Sequence, residues 1–205
     1  MTDQITDRRA IRHEATRQRI LVAAWGLARE QGLAGISLRE LADRVDLRQP
    51  SLYSYFDSKH ALYDAMFAQG YEQLLAAVEP HDPDEPPGPA VDPHEQIRRM
   101  AHVFVELSVV DVPRAQLLFQ RTLPGFEPSP ESYALASRFL DKTRRRLHAA
   151  GFTRPADLDL YTALIGGLVN QQMANDPGGT RWLDLVDDAV DMYLQHATEK
   201  GGTNS

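Results

Sequence analysis

The chain has 205 residues, of which 42% are hydrophobic and 25% are charged, and it contains no cysteine. These values are typical of a folded globular protein and exclude a disordered or collagen-like chain. The absence of cysteine excludes disulfides, a thiol nucleophile and cysteine-rich metal sites. No apolar run approaches the roughly 20 residues that span a bilayer. Residues 1–18 also lack the apolar stretch of a secretory signal, so we expect a cytoplasmic protein.

The net charge of −7 is unevenly distributed along the chain. Residues 1–70 carry ten basic and nine acidic side chains, whereas residues 71–205 carry 12 basic and 20 acidic ones. Residues 8–19 contain five arginines and one glutamate. If the protein contacts a polyanion, we therefore expect the contact in the first third of the chain.

Helical periodicity and helix start and stop signals recur throughout, and no segment alternates apolar and polar residues over the length of a strand. The first predicted helix covers residues 13–31. A capping box formed by Ser37 and Glu40 then opens a short helix, and a turn at Asp46–Leu47 leads to a second short helix over 48–56. Further helices are predicted at about 59–78, 92–110, 111–122, 129–150, 155–175 and 180–198. The sequence thus predicts an all-α fold of about nine helices.

The segment from Pro80 to Pro93 contains six prolines and is acidic. Proline removes a backbone donor and blocks helix continuation, so this segment is predicted to be an exposed loop.

Residues 37–62 form the most informative stretch, because two short helices joined by a tight turn predict a helix-turn-helix. Leu52 and Phe56 are four residues apart and are expected to pack on Leu41 and Val45. The other side chains of the second helix carry hydrogen-bond donors and acceptors, as a surface that contacts bases and phosphates requires.

This stretch resembles the DNA-binding region of the tetracycline-repressor (TetR) family of bacterial transcription regulators, and the resemblance covers about residues 14–67. The motifs that carry it are Leu41-Ala42, Leu52-Tyr53 with Phe56, and Ser58-Lys59 with Leu62. The resemblance implies the following DNA-binding residues: Ser37, Arg39, Arg48, Gln49, Ser51, Tyr53, Ser54, Tyr55 and Lys59. Arginines 8, 9 and 12 are candidates for further minor-groove or phosphate contacts. The alternative for each of these residues is a solvated polar side chain.

The resemblance also implies a homodimer formed by the last two helices. The apolar residues of these helices spread over more than one face, which favours burial on more than one side. The predicted interface residues are Leu164, Leu168, Gln172, Leu185, Val186, Ala189 and Tyr193. A two-fold dimer would present two recognition helices to a palindromic operator.

A pocket for a small-molecule effector is implied by family analogy alone. The candidate pocket residues are Met100, Phe104, Leu107, Phe119, Phe126, Tyr133, Tyr161, Asn170 and Met173. The alternative for each apolar residue in this set is plain core packing. Few charged residues are available there, so an apolar or weakly polar effector is expected.

These observations predict an N-terminal arm and three-helix DNA-binding domain (1–57), a connecting helix (58–79), the proline-rich loop (80–93), a helical ligand-binding and dimerisation domain (94–198) and a tail (199–205). The expected function is a repressor released from its operator by the effector. No catalytic constellation, metal-ligand spacing or cofactor motif is found, so neither an enzyme nor a cofactor is expected. Two alternatives remain: a small-molecule-binding or enzymatic protein whose helix-turn-helix is only structural, and a regulator controlled by a protein partner.

Overall fold

The computed structural model describes residues 2–78 and 92–201, which form nine α-helices and no strand. The helices are α1 (Thr2–Gln31), α2 (Leu38–Arg44), α3 (Gln49–Leu52), α4 (Lys59–Val78), α5 (Pro93–Val110), α6 (Val112–Phe119), α7 (Pro130–Ala149), α8 (Pro155–Asn175) and α9 (Val186–Gly201). The predicted all-α class is confirmed. None of these described helices is long and apolar enough to cross a membrane.

Helices α4, α5 and α8 have the predicted boundaries because local capping fixes their starts. The Ser58 hydroxyl accepts the amide of Ala61 at 3.0 Å, and the Asp92 carboxylate accepts the amide of His94 at 3.1 Å. Pro155 occupies the first turn of α8, where a missing amide donor costs nothing. The predicted loop at 80–93 lies almost entirely outside the described residues.

Four predicted helix boundaries are wrong. Helix α1 begins at Thr2 rather than near residue 13, so the basic segment is helical and not an extended arm. Its glutamine, arginine and alanine residues are strong helix formers without an apolar stripe, and periodicity alone therefore missed them. Helix α3 ends at Leu52 and α6 at Phe119, earlier than predicted. Helix α9 begins at Val186, because the residues before it form turns.

The chain divides into two compact units, one made of residues 1–70 and 113–133 and the other of residues 71–112 and 134–205. Helices α4 and α7 each contribute residues to both units. The first unit contains α1, α2, α3 and α6. Its core includes Trp25, whose indole N–H donates to Gln69 Oε1 at 2.8 Å and whose ring lies under the Arg114 guanidinium.

The second unit is built around α5, α8 and α9, which pack against one another in all three pairs. Its apolar cluster holds an edge-to-face arrangement of Phe152, Tyr161 and Tyr193. The Tyr193 hydroxyl donates to Asp157 O at 3.0 Å, and the Tyr161 hydroxyl donates to Ile97 O at 3.3 Å. Burial raises the pKa of both phenols, so they remain protonated hydrogen-bond donors.

Arg146 of α7 is a buried charged residue. The run from Thr143 to Arg146 reads as a solvated helix face, but both of these residues are buried. The Arg146 guanidinium donates from Nη2 to Val78 O at 2.8 Å and contacts Met100 Sδ through Nη1 at 3.4 Å. Arg146 therefore ties the end of α4 to α5 and α7 inside the second unit.

Replacing Arg146 with alanine is expected to lower the free energy of unfolding by about 2–4 kcal/mol, since it leaves a cavity and removes the donor to Val78 O. Urea unfolding followed by circular dichroism measures the change. Arg145→Ala is the matched control: its side chain is exposed, and a change within about 0.5 kcal/mol is expected. Equal effects of the two substitutions would contradict the structural role given to Arg146.

Candidate DNA-binding and ligand sites

Helix α2 begins with half of the predicted capping box. Ser37 has an extended backbone, and its hydroxyl accepts the amide of Glu40 at 3.5 Å. The Glu40 carboxylate accepts instead from Gln31 Nε2 at 2.8 Å, which connects α2 to the end of α1. The side chain of Ser37 therefore has a local structural role in addition to its predicted position near DNA.

The turn of the helix-turn-helix closes through an unusual backbone conformation at Asp46, whose φ is +57°. The amide of Leu47 donates to Ala42 O at 2.9 Å, and the amide of Asp46 donates to Asp43 O at 3.3 Å. This pair of bonds is the Schellman arrangement that ends a helix, with aspartate in the left-handed position that glycine usually occupies. The turn sets the direction from α2 to α3.

Asp46→Gly is expected to raise the free energy of unfolding by about 0.5–1 kcal/mol, because glycine adopts positive φ without steric cost. Thermal unfolding provides the measurement. Asp43→Gly makes the same chemical change in the helical backbone of α2, where a loss of up to about 0.5 kcal/mol is expected instead. A loss of stability in both variants would show that the Asp46 side chain matters more than its backbone.

On the buried side of the predicted recognition helix, the two apolar residues predicted to pack inward are buried. Leu52 and Phe56 are 1% and 3% exposed and anchor it to the core of the first unit. Arg48, Gln49 and Ser51 are exposed, and Arg48 makes no capping bond with its side chain. Ser54 is also exposed, but its hydroxyl donates to Ser51 O at 2.7 Å. Three polar side chains at the start of α3 therefore face solvent together.

The remaining predicted DNA-binding residues differ in their surroundings. Tyr53 and Arg39 are exposed. Tyr55 stacks on His13 of α1 with ring centroids 4.5 Å apart. Lys59 Nζ donates to Ala34 O at 2.8 Å. Tyr55 and Lys59 thus hold the domain together as well as lying near the recognition helix.

Helix α1 supplies basic side chains beside this surface. Arginines 8, 9 and 12 are exposed on its first turns. The Arg17 guanidinium lies 5.4 Å from the Phe56 ring centroid, and Arg19 donates to Val45 O at 3.4 Å. These contacts place positive charge along the helix-turn-helix.

Two residues that were not predicted from the sequence attach the helix-turn-helix to the neighbouring segments of the chain. Arg44 at the end of α2 makes two bonds of 2.8 Å to the Glu30 carboxylate of α1, and this pairing lowers the pKa of Glu30. The Tyr63 hydroxyl of α4 donates to Leu33 O at 2.6 Å, and burial raises its pKa to about 12. No sequence pattern signals either contact, because the partners are 14 and 30 positions apart.

A cavity of about 40 Å³ lies within the second unit. Its walls are Met100, Phe104, Phe139, Thr143, Tyr161, Thr162 and Ile165. The hydroxyls of Thr143 and Thr162 donate to carbonyls of their own helices, Phe139 O and Leu158 O. Because these polar groups are already bonded, the walls present mainly apolar atoms.

The structure brings three of the predicted pocket residues together at this cavity: Met100, Phe104 and Tyr161. The other six lie elsewhere. Leu107, Phe119 and Tyr133 are exposed, as is Asn170, and Met173 packs on the core of the second unit. Phe126 packs edge-on against His60 and Tyr63 in the first unit. Aromatic content alone could not separate cavity walls from surface or core.

The predicted dimer residues are mostly buried within the chain itself. Leu168, Val186, Ala189 and Tyr193 belong to the core of the second unit. Gln172 is also buried: its side chain donates to the carbonyls of Asp176 and Gly179 and accepts the amide of Trp182. It holds the turns before α9. These five positions lie in the interior of the single chain, and the dimer interface stays a prediction.

Other apolar residues on α8, on α9 and in the turn before α9 are exposed. Leu160 is 48% exposed, Met192 is 61% exposed and the predicted Leu185 is 38% exposed. Leu164, also predicted, is half-buried. A side chain added at Gly166 or Gly167 would meet no atom within 4 Å, so open space lies over this part of α8. We call Leu160, Leu164, Gly167, Leu185 and Met192 the α8–α9 face.

Within the described residues, no group of three or more histidine, aspartate or glutamate side chains is arranged to hold a metal ion.

Comparison with known proteins places the helix-turn-helix in a family. Residues 20–66 match the family described as bacterial regulatory proteins, tetR family. The chain is 43% identical over 62 residues to the tetracycline repressor protein class A from transposon 1721 of Escherichia coli. That match covers 30% of this chain and 27% of the repressor, so it spans about a quarter of the relative's length.

Solved structures extend the likeness in fold to most of the chain. PfmR, a TetR family transcriptional regulator from Thermus thermophilus, aligns over 86% of this chain and 97% of its own with a TM-score of 0.62 and 22% identity. AibR, solved with isovaleryl coenzyme A and operator DNA, aligns over 86% of this chain and 97% of its own with a TM-score of 0.64 and 21% identity. Residues 20–66 thus match the tetR family of bacterial regulatory proteins, and most of the chain shares the all-helical fold of these solved structures.

Proposed function

We propose that this protein is a sequence-specific DNA-binding transcriptional repressor. The observation that carries the proposal is the start of α3, where Arg48, Gln49 and Ser51 face solvent above the buried anchors Leu52 and Phe56. Arginine can form a bidentate pair with guanine, and glutamine with adenine, in the major groove. The exposed arginines of α1 add phosphate contacts that position the domain.

The proposed active form is a homodimer that binds a palindromic operator in the bacterial cytoplasm. The α8–α9 face supplies the apolar surface for a two-fold contact, and Gly167 lets the partner helix approach closely. A two-fold axis places two recognition helices about 34 Å apart, one turn of DNA. This spacing predicts the half-site separation in the operator.

The proposed effector is an apolar or weakly polar small molecule that enters and enlarges the cavity of the second unit, since ligand pockets are usually several hundred Å³ and this cavity is about 40 Å³. The bonded hydroxyls of Thr143 and Thr162 leave few groups to recognise a charged ligand. The structural neighbour AibR was solved with an acyl coenzyme A and operator DNA, which supports a ligand-responsive regulator on this fold. Effector binding lowers operator affinity if it favours a conformation that binds DNA less well.

Selection of bound fragments from genomic DNA, followed by titration at two salt concentrations, tests the proposal. We expect enrichment of a palindrome and an affinity that falls steeply as salt rises, since phosphate contacts release counterions. The genes beside the palindrome then indicate the class of effector. Weak binding to all fragments, with no enriched sequence, would overturn the sequence-specific function.

The rival proposal is a small-molecule-binding protein or enzyme whose helix-turn-helix is only structural. The exposed polar side chains of α3 favour the regulator over this rival. Substitution of Tyr53 separates the two: a regulator loses DNA affinity with its fold intact, whereas the rival keeps its activity. Control by a protein partner is a further alternative, and a failure of small molecules to alter operator affinity would favour it.

A further inference from the structure

Helix α4 is held between two segments of the first unit at its first two turns. On one side, Lys59 and Tyr63 donate to the carbonyls of Ala34 and Leu33, in the turn that leads to α2. These two residues are four positions apart and therefore share one face of α4. Any shift of this part of α4 moves the turn from which the helix-turn-helix starts.

On another side, Asp64 holds the beginning of α7. Its carboxylate accepts the amide of Ser129 at 2.7 Å, the Ser129 hydroxyl at 2.9 Å and the Ser132 hydroxyl at 2.9 Å. Hydrogen bonds to a carboxylate are stronger than those between neutral groups. Phe126, just before α7, packs edge-on against Tyr63 with centroids 5.8 Å apart. The start of α7 is thus tied to the same turns of α4.

Helix α7 also carries part of the cavity wall. Ser132, Ala136, Phe139 and Thr143 are buried and follow the spacing of one helix stripe. Phe139 and Thr143 line the cavity in the second unit. Ser132 and Thr143 are 11 residues apart, about 16 Å along an α-helix. A continuous helix thus connects the cavity wall to the serines that Asp64 holds.

We propose that Asp64 is the positioning residue that transmits cavity occupancy from α7 to α4 and so to the helix-turn-helix. A molecule that displaces Phe139 or Thr143 shifts α7. Because Ser129 and Ser132 are hydrogen-bonded to Asp64, the shift of α7 displaces Asp64 as well. Helix α4 then displaces Leu33 and Ala34 through Tyr63 and Lys59. This inference rests on the proposed function for its biological meaning, but the coupling itself is a property of the chain.

A double-mutant cycle tests the coupling without a known effector. Thr143→Leu places a larger side chain in the cavity and acts as the probe. Operator affinity is measured for the wild type, Thr143→Leu, Asp64→Asn and the double variant. We expect Thr143→Leu to weaken binding by about five-fold or more when Asp64 is present. In the Asp64→Asn background the same substitution is expected to change affinity by less than about two-fold, which shows that the sites are coupled.

Glu72→Gln is the matched control for charge. It removes the same negative charge from an exposed position of α4 and leaves Ser129 and Ser132 untouched. The effect of Thr143→Leu should persist in this background. Ser132→Ala removes one of the three donors from the α7 side and keeps the Asp64 charge. Ser132→Ala is expected to reduce the coupling between Thr143 and Asp64 partly. It replaces Asp64→Asn in the cycle if that variant does not fold.

Amide hydrogen exchange gives a readout that needs no DNA. Thr143→Leu is expected to accelerate exchange of the amides of Gly35 and Ile36, which close the turn before α2, by a few-fold in the wild-type background only. If the protein binds its operator but the effects of Thr143→Leu and Asp64→Asn on affinity are additive, the role of Asp64 is overturned and the proposed regulatory function stands. Coupled exchange without any specific DNA binding would support Asp64 and overturn the proposed function. An exchange rate in this turn unaffected by Thr143→Leu would also overturn the coupling.

Discussion

Replacement of both Arg48 and Gln49 with alanine is expected to weaken operator binding by about 30-fold or more. A bidentate contact to a base contributes about 1–3 kcal/mol of discrimination, and the double variant removes two candidates for such contacts. Fluorescence anisotropy with the selected operator provides the measurement. Because both side chains are exposed, the free energy of unfolding should stay within about 0.5 kcal/mol of the wild type.

Two further variants separate base recognition from simple attraction between charges. Arg121→Ala removes one exposed positive charge from the same unit, outside the helix-turn-helix, and should change affinity little. Arg48→Lys keeps the charge but loses the planar guanidinium, so affinity for the operator should fall while the salt dependence is retained. An equal loss of affinity for operator and random DNA would assign Arg48 to the phosphates instead.

Leu160→Arg combined with Met192→Arg is expected to convert the proposed dimer into a monomer of 23.0 kDa. A two-fold contact through the α8–α9 face would bring four added cations together in an apolar interface, where unpaired charges are strongly unfavourable. A monomer contacts one half-site only, so operator affinity should fall by about 100-fold or more. Sedimentation velocity measures the assembly state, and anisotropy measures the affinity.

Leu107→Arg combined with Val110→Arg is the matched control. These residues are 43% and 83% exposed on α5, so the control adds the same charge outside the α8–α9 face. It should leave assembly unchanged, and more positive charge should not weaken DNA binding. A dimer that survives the first pair of substitutions but not the second would move the interface to α5.

Sequence alone determined most of the helical architecture, because capping residues and helix breakers act locally. Ser58, Asp92 and Pro155 fix helix starts through bonds or constraints within four residues. The recognition helix could be predicted from the sequence equally well. Leu52 and Phe56 are spaced to bury one side of a short helix, and the polar residues before and between them are left to solvent.

Tertiary structure alone decided which apolar residues face the core, the cavity or solvent. In α9, Val186, Tyr193 and Met192 are all apolar, yet the first two are buried and the third is 61% exposed. Periodicity assigns residues to stripes but does not say which stripe packs on α5. The same limit explains why Gln172 was predicted at an interface, although it holds a turn inside the second unit.

Contacts between distant positions were also beyond the sequence. Asp64 and Ser129 are separated by 65 positions, and Arg146 and Val78 by 68. Charge and hydroxyl content identify possible partners but not which of them meet, because that choice depends on how the helices pack. The resemblance of the N-terminal region to a regulator family, the helix-turn-helix and the polar surface of α3 were therefore evident from local sequence. The cavity, the α8–α9 face and the hold of Asp64 on α7 emerged only when the helices were packed together.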